Sequence, residues 1–208
     1  MDLEKIVPEY HSNNFLVTWL FHKRLATSIS LSETVLKMDG AKILDVGCGE
    51  GLLMKMIEGK YAGVQTFGMD NDKDVLALKG KVKGEVSVGD INRLEYADNT
   101  FDAAYCLDVL EHIEDLSKPG SELARVLKPG GLLIISGPTE SPIYKLLRWV
   151  IKGTFSSIEG PAASPHLLNI YQIEKFFKGA KFALVSKKSL PLIRPLNLFN
   201  LLAFKNEK

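Results

Sequence analysis

From residue 42 onward, short apolar runs alternate with stretches of helical periodicity. Runs at 43–46, 64–69, 85–88, 101–107 and 132–136 have the length and composition of buried strands. Between and after them, 51–58, 73–79, 117–127 and 170–177 space their apolar residues as helices do, the third stopped by Lys128-Pro-Gly-Gly. The alternation predicts an α/β fold with a parallel sheet and helices on both faces. The tail adds two strand-like runs, 181–186 and 198–205, joined through Pro191 and Pro195. Two segments fall outside this rhythm. Residues 13–37 predict a helix that is apolar nearly all round at Phe15-Leu-Val-Thr-Trp-Leu-Phe21, so it has to pack against something. Within 141–165, Ile143, Leu146, Leu147, Val150 and Ile151 recur at helical spacing, with Lys145, Arg148 and Lys152 on the other side.

Bulk properties narrow the picture modestly. A chain of 208 residues, 46% hydrophobic and 25% charged, predicts one domain over 1–208. A net charge of +1 gives no basic excess for nucleic acid. Cys48 and Cys106 have neither metal-knuckle spacing nor a disulfide framework, which suits a reducing cytoplasm. The start, Met1 to Lys5, is polar and acidic, unlike a secretory signal, and no run is long and apolar enough to span a membrane. A soluble, cytoplasmic protein is the expectation.

The most informative chemistry lies where the first strand meets the first helix. Glycines at 47, 49 and 51 let backbone approach a ligand where side chains would collide. A dinucleotide fingerprint would place its third glycine at position 52, which is Leu, and no Gly-Lys-Ser/Thr follows as a P-loop requires.

The run Asp45-Val-Gly-Cys-Gly-Glu-Gly51 resembles the first motif of the class I S-adenosylmethionine (SAM) methyltransferases, and three later segments match that family in order. Asp70 ends the second apolar run where the family's acidic residue grips both ribose hydroxyls. Val88-Gly-Asp-Ile91 resembles the third-strand motif whose Asp caps the adenine amino group, with Asn99-Thr-Phe-Asp102 leading into the fourth strand. Leu127 to Ile135 resembles the turn and fifth strand of the small-molecule branch that includes the ubiquinone and menaquinone enzymes. The likeness covers 42–136 closely. It implies a Rossmann-like, seven-stranded, mostly parallel sheet closed by an antiparallel C-terminal strand, with an N-terminal helical lid (1–40) and a substrate-recognition insertion (138–168).

SAM is the implied cofactor, and its own charges suggest partners. Asp45, or the backbone carbonyls beside it, suits the ammonium; backbone amides of the turn formed by Gly47, Cys48, Gly49 and Gly51, at the positive end of the helix that Gly51 opens, suit the carboxylate; and Asp70 with Asn71 suits the ribose. Asp90 and the amide of Ile91 suit adenine, with Leu107 lining the pocket. Turn or capping chemistry explains any one of these acids alone; three at successive strand ends beside a glycine turn point to a ligand. Tyr10, His11 and Trp19 are candidates for a lid lining the site.

The methyl acceptor is a small molecule in this reading. If Asp108 opens a helix, Glu111 and His112 follow at i+3 and i+4 on one face. That face either holds a divalent cation through Asp108, Glu111 and His112, as a similar segment does in the ubiquinone-type enzymes, or Asp108 merely caps the helix. His112 alone suits a general base at neutral pH. His166 and Tyr171 resemble a His-x-x-x-aromatic feature of this branch, facing the acceptor or merely packing. The apolar stretches of 13–21 and 142–151, the latter with a basic side, also suit an acceptor presented at a membrane surface. A non-catalytic SAM-binding domain and a protein-methylating enzyme are the alternatives.

Overall fold

The computed structural model describes residues 15–152, 166–191 and 197–208. Tyr10, His11 and the segment 153–165 lie outside them. In chain order the elements are α1 (Phe15–Leu31), α2 (Glu33–Leu36), β1 (Lys42–Val46), α3 (Leu52–Lys60), β2 (Gln65–Asp70), a 3-10 helix (Lys73–Leu78), and β3 (Glu85–Val88). Then follow β4 (Phe101–Leu107), a 3-10 turn (Leu110–His112), α4 (Ser117–Val126), β5 (Leu127–Pro138), α5 (Pro142–Lys152), α6 (Ile170–Gly179), β6 (Phe182–Leu190) and β7 (Phe199–Asn206).

The strands form one seven-stranded sheet in the order β3-β2-β1-β4-β5-β7-β6. The first five run parallel, and β7 enters antiparallel between β5 and β6. Both faces are covered, so the central strands are apolar on both sides. On β4, Ala104 and Cys106 join the core cluster that includes Leu123, Ile173 and Phe177, while Ala103 and Tyr105 join the one that includes Leu25, Ile29 and Ile57. The strand's period of two thus sends successive residues into opposite cores. Chain order reverses between β1 and β4, and in open α/β sheets ligands bind at the carboxyl ends of the strands flanking such a switch.

The expected elements are present, with local differences. The stretch 73–79 winds as a 3-10 helix, and β5 begins at Leu127. The Lys128-Pro-Gly-Gly turn is absorbed into the strand's irregular start, where the register against β4 shifts between Phe101 and Ala103 and Gly130 takes φ 76°. The N-terminal helix breaks at Ser32, whose buried hydroxyl bonds the hydroxyl of Tyr105 on β4. α1 is apolar toward the sheet at Leu25 and Ile29, yet it exposes Phe15 and Trp19.

Candidate active site

The glycine turn is tied to the end of β2. The amides of Gly47 and Cys48 both donate to the carbonyl of Met69 (2.7 and 3.1 Å), and the Gly49 amide donates to Asp70 Oδ2 (2.9 Å). Gly47, Gly49 and Gly51 all take positive φ (72°, 49° and 68°), a region that favours glycine. At Gly47 a Cβ would lie 2.3 Å from Val109 Cγ2, so any side chain there forces Val109 or the turn to move.

With the amides of Gly47, Cys48, Gly49 and Gly51 all donating to protein acceptors, the donors left for a carboxylate lie at the start of the helix itself. The α3 N-terminus supplies them: Gly51 caps it without a side-chain acceptor, and the amides of Leu52 and Leu53 have no acceptor among the described residues.

Asp45, inside β1 at 5% exposure, accepts no hydrogen bond among the described residues. Burial first, then the neighbouring charge of Asp70, pushes its carboxyl up to about 7. A buried acid with no cation beside it among the described residues matches an ammonium-bearing ligand. Asp70 accepts one amide on each oxygen, from Gly49 and from Asp72 (3.0 Å), which leaves a lone pair on each for a diol. Asp90 is exposed beyond β3 and spends Oδ1 on the amide and side chain of Asn92, leaving Oδ2. Asn71 is exposed, Ile91 is buried, and Leu107 closes β4 half-buried beside Ser136. The donors and acceptors present fit SAM along the carboxyl ends of β1, β2 and β3. Cys48 is buried in the turn, and burial pushes its thiol up, away from thiolate chemistry.

Beyond β4 the condition for a shared helical face is not met. Asp108 takes φ 58° and does not open a helix; the 3-10 turn starts at Leu110. Its carboxylate receives the Arg24 guanidinium and the Ser136 hydroxyl, so Asp108, Glu111 and His112 do not share a helical face. A different trio converges instead. Single ligand-type atoms of Glu111, His112 and His166 all lie within 4.8 Å of one another. The His166 and His112 rings meet edge-on at 5.1 Å, and the amides of Leu167 and Leu168 both donate to the carbonyl of Glu111 (2.7 and 3.1 Å). His166 Nδ1 donates to Glu140 Oε1 at 2.8 Å. Tyr171 stands apart, half-exposed under the Lys187 ammonium.

Arg24 and Glu140 escaped the sequence reading. Arg24 sits inside an apolar helix, and Glu140 is 26 residues from its partner. No local pattern marks either.

Residues 44–135 match the family model of the methyltransferase domain. That segment is similar to a methyltransferase domain. The ubiquinone biosynthesis O-methyltransferase of Alkalilimnicola ehrlichii is 36% identical over 112 residues, covering 50% of this chain and 44% of the relative. The sterol 24-C-methyltransferase of Gibberella zeae is 35% identical over 102 residues, covering 45% of this chain and 26% of the relative. The chain therefore spans less than half the length of these curated relatives. Among solved structures, a SAM-dependent methyltransferase from Methanosarcina mazei superposes with a TM-score of 0.67 at 20% identity, over 85% of this chain and 96% of its own. At that identity the likeness speaks for the fold. Among the described residues, no helix is long and apolar enough to cross a membrane.

Proposed function

We propose that this chain is an enzyme that transfers a methyl group from SAM to a small-molecule acceptor, at oxygen or carbon. The observation that carries the reading is Asp45, a buried acid with no cation beside it among the described residues, next to a glycine turn at the sheet's switch point. SAM supplies an activated, positively charged methyl group. The protein's work is then to bind, orient and exclude water. Asp45 receives an ammonium, the first amides of α3 a carboxylate, Asp70 with Asn71 the ribose hydroxyls, and Asp90 with Ile91 the adenine. His112 and His166, gathered beyond β4, are the residues available to hold or move an acceptor proton.

In this reading α1 covers the site as a lid, and α5 with the other described residues of 138–168 contributes acceptor recognition. Exposed Leu146 and Trp149 on α5 favour a hydrophobic acceptor, in keeping with the names of the ubiquinone and sterol relatives, and are the feature suited to peripheral contact with a membrane. The cytoplasm is the compartment that suits two buried free thiols.

The test is incubation of purified protein with methyl-labelled SAM and a metabolite extract. A labelled small product is expected. Label confined to protein points to protein methylation, and tight SAM binding without transfer under varied metal conditions points to a non-catalytic SAM-binding domain.

A further inference from the structure

The cluster beyond β4 and β5 is assembled from three separate segments, and its construction goes beyond housing two candidate histidines. Two strained residues mark the carboxyl ends of those neighbouring strands: Asp108 (φ 58°) after β4 and Glu140 (φ 49°) after β5. A left-handed conformation at a non-glycine residue is strained and persists only where its surroundings impose it. At Glu140 it accompanies a carboxylate held 2.8 Å from His166 Nδ1, with the two side chains 15% and 6% exposed. The His166 backbone segment is pinned as well, through the two amides that close on Glu111.

A carboxylate only accepts, so the imidazole has to donate from Nδ1, and in the neutral ring the lone pair is then fixed on Nε2. We propose that Glu140 is a positioning residue that holds His166 in this tautomer as the general base of the reaction, and that the acceptor's reacting group is a hydroxyl. This rests on the methyl-transfer reading above. The hydroxyl follows from the timing of the proton. An alkene carbon attacks through a π pair it already has, as an amine does through its lone pair, and either sheds its proton afterwards, whereas a hydroxyl gains nucleophilicity as its proton leaves, so a pre-oriented base in the transition state helps it most. The proton of the O–H bond passes to Nε2 and the bonding pair stays on oxygen. Oxygen forms the new bond to the methyl carbon, and the pair of the breaking carbon–sulfur bond remains on sulfur.

The experiment is two-bond proton–nitrogen NMR of the full chain labelled with 15N-histidine, His166 being assigned by its loss in His166→Gln. Wild type is expected to show neutral His166 protonated at Nδ1. Glu140→Ala is expected to move it toward the Nε2–H form, and Glu140→Gln, whose amide oxygen still accepts, to keep much of the Nδ1–H form. In the labelled-extract assay Glu140→Ala is expected to slow product formation by about 10- to 100-fold, with calorimetric SAM affinity unchanged. An Nε2–H tautomer in wild type, or one indifferent to Glu140→Ala, overturns the proposal. So does saturable loss of the His112 and His166 signals on adding equimolar Zn2+ or Mn2+, which would put a cation where the proton is assigned. Absence of SAM binding in wild type would sink the methyl-transfer reading instead, a separate result from the tautomer.

Discussion

Arg24 of the first helix and Asp108 at the end of the fourth strand form an ion pair, with side chains 2% and 28% exposed. The guanidinium also lies against the rings of Phe21 and Phe199, 4.6 and 5.0 Å from their centroids. One side chain thereby ties α1 to both β4 and β7, next to the residue that precedes Val109 and the glycine turn it packs on.

The two ends of that pair are unequal, and so are the expected costs of cutting it. Asp108→Ala takes the carboxylate from a buried guanidinium and is expected to cost about 3 kcal/mol, a fall in Tm of roughly 6–12 °C for a chain of this size. Arg24→Met keeps the packing and leaves a carboxylate that water and Ser136 still reach, at a cost of about 1 kcal/mol. Urea or thermal unfolding of both variants checks the order, and a larger loss in Arg24→Met would contradict it.

Gly47 and Gly40 make a matched pair for testing the turn. Both hold φ near the same value (72° and 71°), but a Cβ at Gly40 meets nothing within 4 Å while one at Gly47 strikes Val109. Gly40→Ala is expected to cost about 1–2 kcal/mol from backbone strain alone. Gly47→Ala adds the collision, typically a further 1–3 kcal/mol, and is also expected to weaken SAM binding at least tenfold. Equal destabilisation in the two variants would show that Val109 yields freely and does not shape the turn.

Elements whose burial is set by local pattern were legible in the sequence, and those set by distant partners were not. The strands 43–46 and 101–107 announce themselves because buried parallel strands are apolar on both faces. No helix opens at Asp108, because Arg24, 84 residues away, and Ser136 hold that carboxylate, while its backbone turns left-handed. Likewise the spacing in Asp108-Val-Leu-Glu-His suggested a metal face, whereas the residues that meet are Glu111, His112 and His166, brought together by a loop folding back on the Glu111 carbonyl. The glycine turn was readable, but the assignment of its amides required knowing where the carbonyl of Met69 ends up.

Asp70 is expected to serve two purposes that separate by substitution. Its carboxylate holds the turn through Gly49 and its own loop through Asp72. Asp70→Ala removes both acceptors and any bond to the ribose, so SAM affinity should fall by about 100-fold, the loss of roughly two charge-assisted hydrogen bonds. Asp70→Asn keeps one acceptor oxygen and should fall between that variant and wild type. Isothermal calorimetry decides, and unchanged affinity in Asp70→Ala removes Asp70 from the ribose site.

Asp45 gives the clearest pH dependence. Its carboxyl is raised by burial, and secondarily by Asp70, from 3.8 to about 7. Between those values the folded protein binds a proton that the unfolded chain has released, so this group makes stability fall as pH rises through the window and hold steady above about 7. Asp45→Asn should flatten that fall and raise Tm at neutral pH. Ligand binding carries the opposite sign: an ammonium needs the ionised form, so SAM affinity should increase with pH up to about 7, approaching tenfold per unit on the acid side, with a proton released on binding. Calorimetry in buffers of different ionisation enthalpy counts that proton. In Asp45→Asn both the proton release and about 10- to 100-fold of the affinity should vanish together. A variant that loses affinity but keeps the proton release would assign the titration to another group and take the ammonium away from Asp45.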